Sequence, residues 1–309
     1  MILEGNCLDR LKELPDESVQ CCVTSPPYWG LRDYGNSGQI GLESAFEDYV
    51  RNIVGIFEEV RRVLKSDGTL WLNLGDCYAT GAGKVGNSPG GGKQGEKWRG
   101  SLQSRNNSKH VYSEGIGPRT QPNRLPQIGL KPKDLVGIPW RVAFALQASG
   151  WFLRQDIIWS KTNPMPESVT DRCTKSHEYI FLLTKSKKYY FDHVPIKEPA
   201  SRAHEGQGTS TGKFGADPSK RNRRSVWTVQ TRPFKGAHFA TFPPDLIRPC
   251  VLAGCPEGGT ILDPFFGAGT TGLVALQEKR RYLGIELNPE YIAIAQARLD
   301  GFTRQGELL

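Results

Sequence analysis

The spacing of apolar residues along this chain changes several times, and each change marks an element. Residues 1–4 are a short apolar start, and residues 8–14 predict a brief helix that stops at Pro15. Val19–Thr24 is an unbroken β-branched and cysteine-rich run ending in Ser-Pro-Pro, as expected of a buried strand entering a rigid turn. Phe46, Tyr49, Val50, Ile53, Phe57, Val60 and Leu64 recur at helical spacing, which predicts an amphipathic helix. Gly68 is expected to close that helix, with residues 69–74 as the next strand. Further on, residues 135–148 read as a helix, and residues 152–159 and 177–184 as strands. The C-terminal part reads strand 260–262, helix 271–277, strand 282–287 and helix 289–299. Alternating strands and helices of this kind predict an α/β fold with a mostly parallel sheet.

Two stretches break the rhythm. Residues 79–133 are rich in Gly, Ser, Asn and Pro, with ten Lys/Arg against two acids, a net +8. That equals the formal charge of the whole 309-residue chain. Residues 201–235 hold eight Lys/Arg and two acids. Long unpatterned segments inside a compact domain are commonly functional or disordered, and basic ones suit a polyanion. The other reading of 79–133 is a solvated loop without a role. Seven scattered cysteines form no C-x-x-C pair, so reduced thiols, no metal site and a cytoplasmic location are expected. The N-terminus carries early acids and no apolar leader core, and no run reaches membrane-spanning length.

Residues 260–288, TILDPFFGAGTTGLVALQEKRRYLGIELN, run from a strand into a glycine turn, a helix, and a second strand ending in Glu286. Gly267 and Gly269 let the main chain turn tightly and let a ligand approach it. An acid at the end of the second strand suits the two hydroxyls of a ribose. That spacing also admits a dinucleotide, but Asp263 would repel a diphosphate and attract the ammonium and sulfonium of S-adenosylmethionine. Phe265 and Phe266 are placed to cover the adenine or the methionine chain. The glycines alone would equally make a plain βα turn.

Near the other end lies Thr24-Ser25-Pro26-Pro27-Tyr28-Trp29. Two prolines fix the backbone and remove two N–H donors. Ser25 Oγ and the Pro26 carbonyl are then available to hold the two hydrogens of an amino group. Tyr28, with Trp29 beside it, offers a face for a base. Alone, this is a Pro-Pro turn with aromatics packed on a core.

The pairing of VTSPPY with DPFFGAGTT resembles the DNA amino-methyltransferases, and its order, catalytic motif first, is similar to their β class. The resemblance covers most of the chain. Residues 238–247 resemble the segment that helps bind the cofactor methionine, and Gly5-Asn6-Cys7 the stretch near its adenine. Residues 158–163 and 178–185 resemble the family's connecting strands. The resemblance implies a doubly wound, mostly parallel sheet of about seven strands, of the class I, Rossmann-like methyltransferase kind. It also implies a flipped base and direct methyl transfer. Ser25, Pro26, Pro27 and Tyr28 are then catalytic. Asn6, Cys7, His238, Phe242, Asp263, Pro264, Phe265, Gly267, Gly269, Thr270, Glu286, Leu287 and Asn288 bind S-adenosylmethionine. Trp29, Lys93, Lys97, Arg99, Arg221, Arg223 and Arg224 are the candidate contacts to double-stranded DNA. The expected layout is a catalytic half over 1–78, a basic insertion over 79–133, a continuation over 134–191, target recognition over 192–236 and a cofactor half over 237–309. A homodimer and a cognate restriction endonuclease are family expectations.

Cytosine C5 enzymes need a Cys after a Pro in the catalytic turn. Here Pro249-Cys250 lies just before the cofactor strand, which predicts a buried helix residue. Ser at the first motif position favours cytosine N4 narrowly over adenine N6. Methylation of RNA or of a protein glutamine, and an idle cofactor-binding DNA-binding subunit, are the readings from other classes.

Overall fold

In the computed structural model, residues 1–31, 34, 36, 38–79, 129–200, 219–231 and 241–306 are described. In chain order the elements are β1 Ile2–Glu4, α1 Cys7–Lys12, β2 Val19–Thr24, α2 Phe46–Val63, β3 Leu64–Leu74, α3 Ile138–Ala148, β4 Phe152–Ser160 and β5 His177–Thr184. There follow β6 Glu198–Pro199, β7 Lys220–Arg221, β8 Val226–Thr228, α4 Pro244–Gly254, β9 Thr260–Asp263, α5 Thr270–Gln277, β10 Arg281–Glu286 and α6 Pro289–Gly306.

Among the described residues, eight strands form one sheet in the order β1-β10-β9-β2-β3-β5-β4-β8. β5 alone runs against its neighbours; every other pairing in this sheet is parallel. All six residues of β2 are buried, as a central strand covered on both faces requires. One face of the sheet is covered by α1, α2 and α3, the other by α4 and α5. In α2 the buried positions include Phe46, Tyr49, Ile53, Phe57 and Val60, one stripe of the helix. Each such fully buried side chain contributes about 1.5–3 kcal/mol.

The doubly wound α/β reading holds, with eight strands against the expected seven or so. The additional edge strand, β8, pairs with β4 and buries Trp227. It comes from within 192–236, so part of that segment belongs to the sheet. α2 ends at Val63 rather than Gly68. Gly68 lies inside β3, where a Cβ would stand 3.0 Å from the Lys65 carbonyl and 3.1 Å from the Gln20 carbonyl. Close approach of β2, and not helix termination, explains that glycine. Cys250 is fully buried in α4, as expected.

The two ends of the basic insertion meet. Tyr78 and Leu135 form an antiparallel bridge, and Ala79 N–H donates to the Asp134 carbonyl at 2.8 Å. Residues 80–128, with Lys93, Lys97 and Arg99, lie outside the described residues, as does His238.

Candidate active site

β2 and β9 are neighbours, but the chain leaves them toward opposite faces of the sheet, β2 leading to α2 and β9 to α5. Such a switch point opens a crevice beyond the carboxyl ends of the strands. Ser25 follows one of these ends and Asp263 closes the other. The two motifs are joined directly, since Thr24 Oγ1 donates to Asp263 Oδ1 at 2.6 Å across 239 residues of sequence.

A cavity of about 360 Å³ occupies the crevice. Asn6, Cys7, Phe242, Asp263, Pro264, Phe265, Gly267, Thr270, Glu286, Leu287 and Asn288 line one part of it. Ser25, Pro26, Pro27 and Tyr28 line another. Gly269 stands behind the turn as the left-handed N-cap of α5, where a Cβ would meet Ala295 at 3.0 Å; it does not line the cavity.

Glu286 braces the glycine turn. Its Oε2 accepts from Gly267 N–H at 2.7 Å and its Oε1 from Asn288 N–H at 2.9 Å. Each oxygen keeps a lone pair for a hydroxyl. Gly267 has φ +50°, the left-handed region that favours glycine. Asp263 is buried; its Oδ1 accepts from Thr24 and from Phe265 N–H, and its Oδ2 from Thr271 Oγ1. Burial pushes the Asp263 carboxyl up to about 6 despite those three donors, and it pushes Glu286 up as well. A cationic, hydroxyl-bearing ligand would relieve two carboxyls that suffer in this way from desolvation. The donor set therefore fits S-adenosylmethionine.

The other part of the cavity is built on Tyr28. Its hydroxyl donates to Glu178 Oε2 at 2.8 Å, lies 3.1 Å from Asn73 Oδ1, and accepts from Ser25 Oγ at 3.4 Å. Glu178 Oε1 is ion-paired with Lys161. Burial, with the Glu178 charge adding to it, holds the Tyr28 phenol well above its ordinary pKa. The Tyr28 ring lies against Gly75, where a Cβ would come within 2.5 Å of Cε2. Tyr49 Oη donates to the Pro27 carbonyl at 2.9 Å and fixes the turn. Among the described residues no hydrogen bond is made to the Pro26 carbonyl, so it remains an open acceptor beside Ser25.

One aromatic expectation is corrected. Trp29 is not available to DNA or to a base: it is 2 % exposed, its indole N–H donates to the Glu43 carbonyl at 2.9 Å, and it packs edge-on against Phe46. Phe266 lines the cavity and also fills the space left by Gly272 and Gly284, stacked on Tyr282. Arg221 and Arg224 both pair with Glu198, and Arg223 lies over the Trp227 ring at 4.8 Å.

Lys161, Glu178 and Asn73 belong to neither motif, and their role emerges only from the fold. The one signal in the sequence was an acid at the head of an otherwise apolar run, Glu178 before residues 179–183. Its place follows from β5 running backward: Trp159 pairs with Glu178 and Leu74 with Tyr179, so the start of β5 meets the ends of β3 and β4.

Comparison with known proteins gives consistent matches. A family model described as DNA methylase, for N6/N4 methyltransferases, matches residues 19–297. The chain is 51% identical over 300 residues to the type II methyltransferase M.Cfr9I of Citrobacter freundii, covering 97% of this chain and 87% of that one. It is 50% identical to the type II methyltransferase M.SmaI of Serratia marcescens, covering 96% and 90%. Among solved structures, the PvuII DNA methyltransferase (cytosine-N4-specific) superposes with a TM-score of 0.62 at 18% identity, covering 96% and 84%. A putative DNA modification methylase from Thermus thermophilus, complexed with S-adenosyl-L-methionine, gives 0.58 at 21%, covering 96% and 92%. These structural likenesses establish the fold.

Proposed function

The chain belongs to the N6/N4 DNA methylase family and is a DNA methyltransferase; on that premise we propose that it methylates the exocyclic amino group of a base flipped from duplex DNA, cytosine N4 ahead of adenine N6. One observation carries this: Ser25 and Pro26, whose carbonyl accepts no hydrogen bond among the described residues, line the same cavity as Asp263 and Glu286. S-adenosylmethionine is the methyl donor, supplying an electrophilic methyl group on a positively charged sulfur. Glu286 holds the ribose hydroxyls and Asp263 the positive end of the methionine portion. Asn6, Cys7, Phe242, Pro264, Phe265, Gly267, Thr270, Leu287 and Asn288 complete the cradle.

On the substrate side, Ser25 Oγ and the Pro26 carbonyl take the two amino hydrogens. That aims the nitrogen lone pair along the line of attack and draws density toward nitrogen, a gain from positioning and electrostatics. A stacked, paired base cannot present its amino group this way, so it must leave the helix. Serine at position 25 and the name of the PvuII neighbour, cytosine-N4-specific, both favour cytosine. The segments 79–133 and 192–236 supply the grip on DNA, with Lys93, Lys97, Arg99, Arg221, Arg223 and Arg224 as contacts. A restriction endonuclease acting on the same site, in the cytoplasm and without physical contact, fits the type II relatives.

Digestion of reacted DNA to nucleosides, followed by mass spectrometry, tests the assignment. N4-methylcytosine is the expected product. N6-methyladenine would move the assignment to the other base, and C5-methylcytosine or an unmodified digest would refute the amino-transfer reading.

A further inference from the structure

We propose that Ser25, Tyr28 and Glu178 form a path that carries away the proton released by the methylated nitrogen, with Glu178 as the acceptor. The inference rests on the reading that Ser25 meets the amino group. As the amino nitrogen forms its bond to the methyl carbon, the carbon–sulfur bond breaks and its electron pair stays on sulfur. The nitrogen now carries a positive charge and must give up one of its two hydrogens. A serine hydroxyl cannot keep that proton, because a protonated alcohol is far too strong an acid. It can take the proton only while passing its own onward.

The hydrogen bonds already run in that direction. Ser25 Oγ donates to Tyr28 Oη at 3.4 Å, and Tyr28 Oη donates to Glu178 Oε2 at 2.8 Å. A proton arriving at Ser25 is answered by the shift of the Ser25 hydrogen to Tyr28 and of the Tyr28 hydrogen to Glu178. No atom moves far, and both hydroxyls end neutral. The terminus is a carboxylate, as it must be. Among the described residues, three carboxylates line the cavity: Glu178, Asp263 and Glu286. The last two are bound to the Thr24, Thr271 and main-chain donors of the cofactor turn. Of the three, Glu178 is the one that side-chain hydrogen bonds connect to Ser25 itself, through Tyr28.

Lys161 makes Glu178 fit for the task. Its ammonium pairs with Glu178 Oε1 and rests over the Trp159 ring at 4.6 Å, which sets a positive charge against the carboxylate in a site where the Glu178 side chain is only 15% exposed. When the proton arrives, the site gains one positive charge in the same step in which sulfur loses one. The total is unchanged, and no ion is stranded in a low-dielectric cavity. Asn73 Nδ2 donates to Glu178 Oε2 and to the Tyr179 carbonyl, which fixes the carboxylate plane.

The test uses the full chain carrying Glu178→Gln, Tyr28→Phe and both changes together. Single-turnover transfer from tritiated S-adenosylmethionine to unmodified plasmid DNA is measured beside cofactor affinity by calorimetry and DNA affinity by fluorescence. Glutamine keeps the shape and an acceptor oxygen but cannot hold the proton. Each single change is expected to slow transfer by roughly 10²–10⁴-fold, the usual range for general acid–base groups. Both affinities should stay within about twofold. The double variant should be no slower than the worse single one, because the residues act as one chain. Three results overturn the relay: transfer by Glu178→Gln within about threefold of wild type, rate reductions that multiply in the double variant, or weakened cofactor or DNA affinity alongside the rate. Absence of transfer by the wild-type protein would instead remove the amino-methylation reading on which the relay depends.

Discussion

Asp263 has a folded-state pKa pushed up to about 6 by burial, well above its ordinary value. A raised carboxyl makes the free protein more stable as pH falls from neutrality through 6, because the folded state binds the proton more readily than the unfolded chain. Cofactor binding has the opposite sign. A cationic ligand favours the ionised carboxyl, so affinity should be full above about 6 and weaken by up to roughly tenfold per unit below it. Glu286, also raised by burial, acts in the same direction. Calorimetry at pH 7.5 and 5 checks this, and equal affinities would remove Asp263 from contact with the cation. Gly75 makes a second residue-scale case. Its missing Cβ is where Tyr28 Cε2 would stand 2.5 Å away, and the ring is anchored beyond by Glu178 and Asn73. Gly75→Ala is expected to push the ring aside and slow transfer by about a hundredfold, the cost of a misplacement near 1 Å. Cofactor affinity should be kept, and an unaffected rate would mean that the ring position is irrelevant.

At the scale of elements, the sequence is most informative where a site is local in the chain. Ser25–Pro26–Pro27–Tyr28 and the turn from Asp263 to Glu286 are each one strand end and its sequel, so composition and order expose them. Glu178 and Lys161 escape because an acid at the head of one apolar run and a lysine at the end of another do not show what they meet; only the reversed β5 brings them to Tyr28. Trp29 is misread for the converse reason. An aromatic after a Pro-Pro turn has the same look whether it faces solvent or core, and here the Glu43 carbonyl and Phe46 decide. A distant cap is equally invisible in the sequence. The N-cap of α3, Gly137, offers no side-chain cap, yet Asp76 Oδ1 accepts from Gly137 N–H and Ile138 N–H, both at 3.0 Å. Asp76→Ala should lower unfolding free energy by about 0.5–2 kcal/mol, the range for lost N-caps, while Asp76→Asn keeps most of it. Urea titration separates the two, and equal midpoints would dismiss the cap.

The described residues form a switch-point α/β fold, and two segments of the sequence, 79–133 and 201–235, concentrate its basic residues. Among the described residues no helix is long and apolar enough to cross a membrane. The neck formed by Tyr78, Ala79, Asp134 and Leu135 allows residues 80–128 to be replaced by a short Gly-Ser turn without opening the sheet. That segment holds eight Lys/Arg. Its removal should leave cofactor affinity unchanged, weaken DNA binding and flatten the salt dependence by about 0.9 for each phosphate no longer neutralised. An unchanged slope would return the DNA grip to 192–236 alone. In that segment, neutralising Arg221, Arg223 and Arg224 should likewise flatten the slope. Because Arg221 and Arg224 both pair with Glu198, the substitution of Glu198 belongs beside it as a control for folding.

The central claim is that Ser25 and its neighbours present a DNA base amino group to a methyl donor held by Asp263 and Glu286. Single-molecule sequencing of DNA from cells expressing the wild-type chain or Ser25→Ala tests it most directly. The expected result is amino-methylation, at cytosine, confined to one sequence context and absent with Ser25→Ala. Unmodified DNA from the wild-type cells, or the same modification with Ser25→Ala, would contradict it.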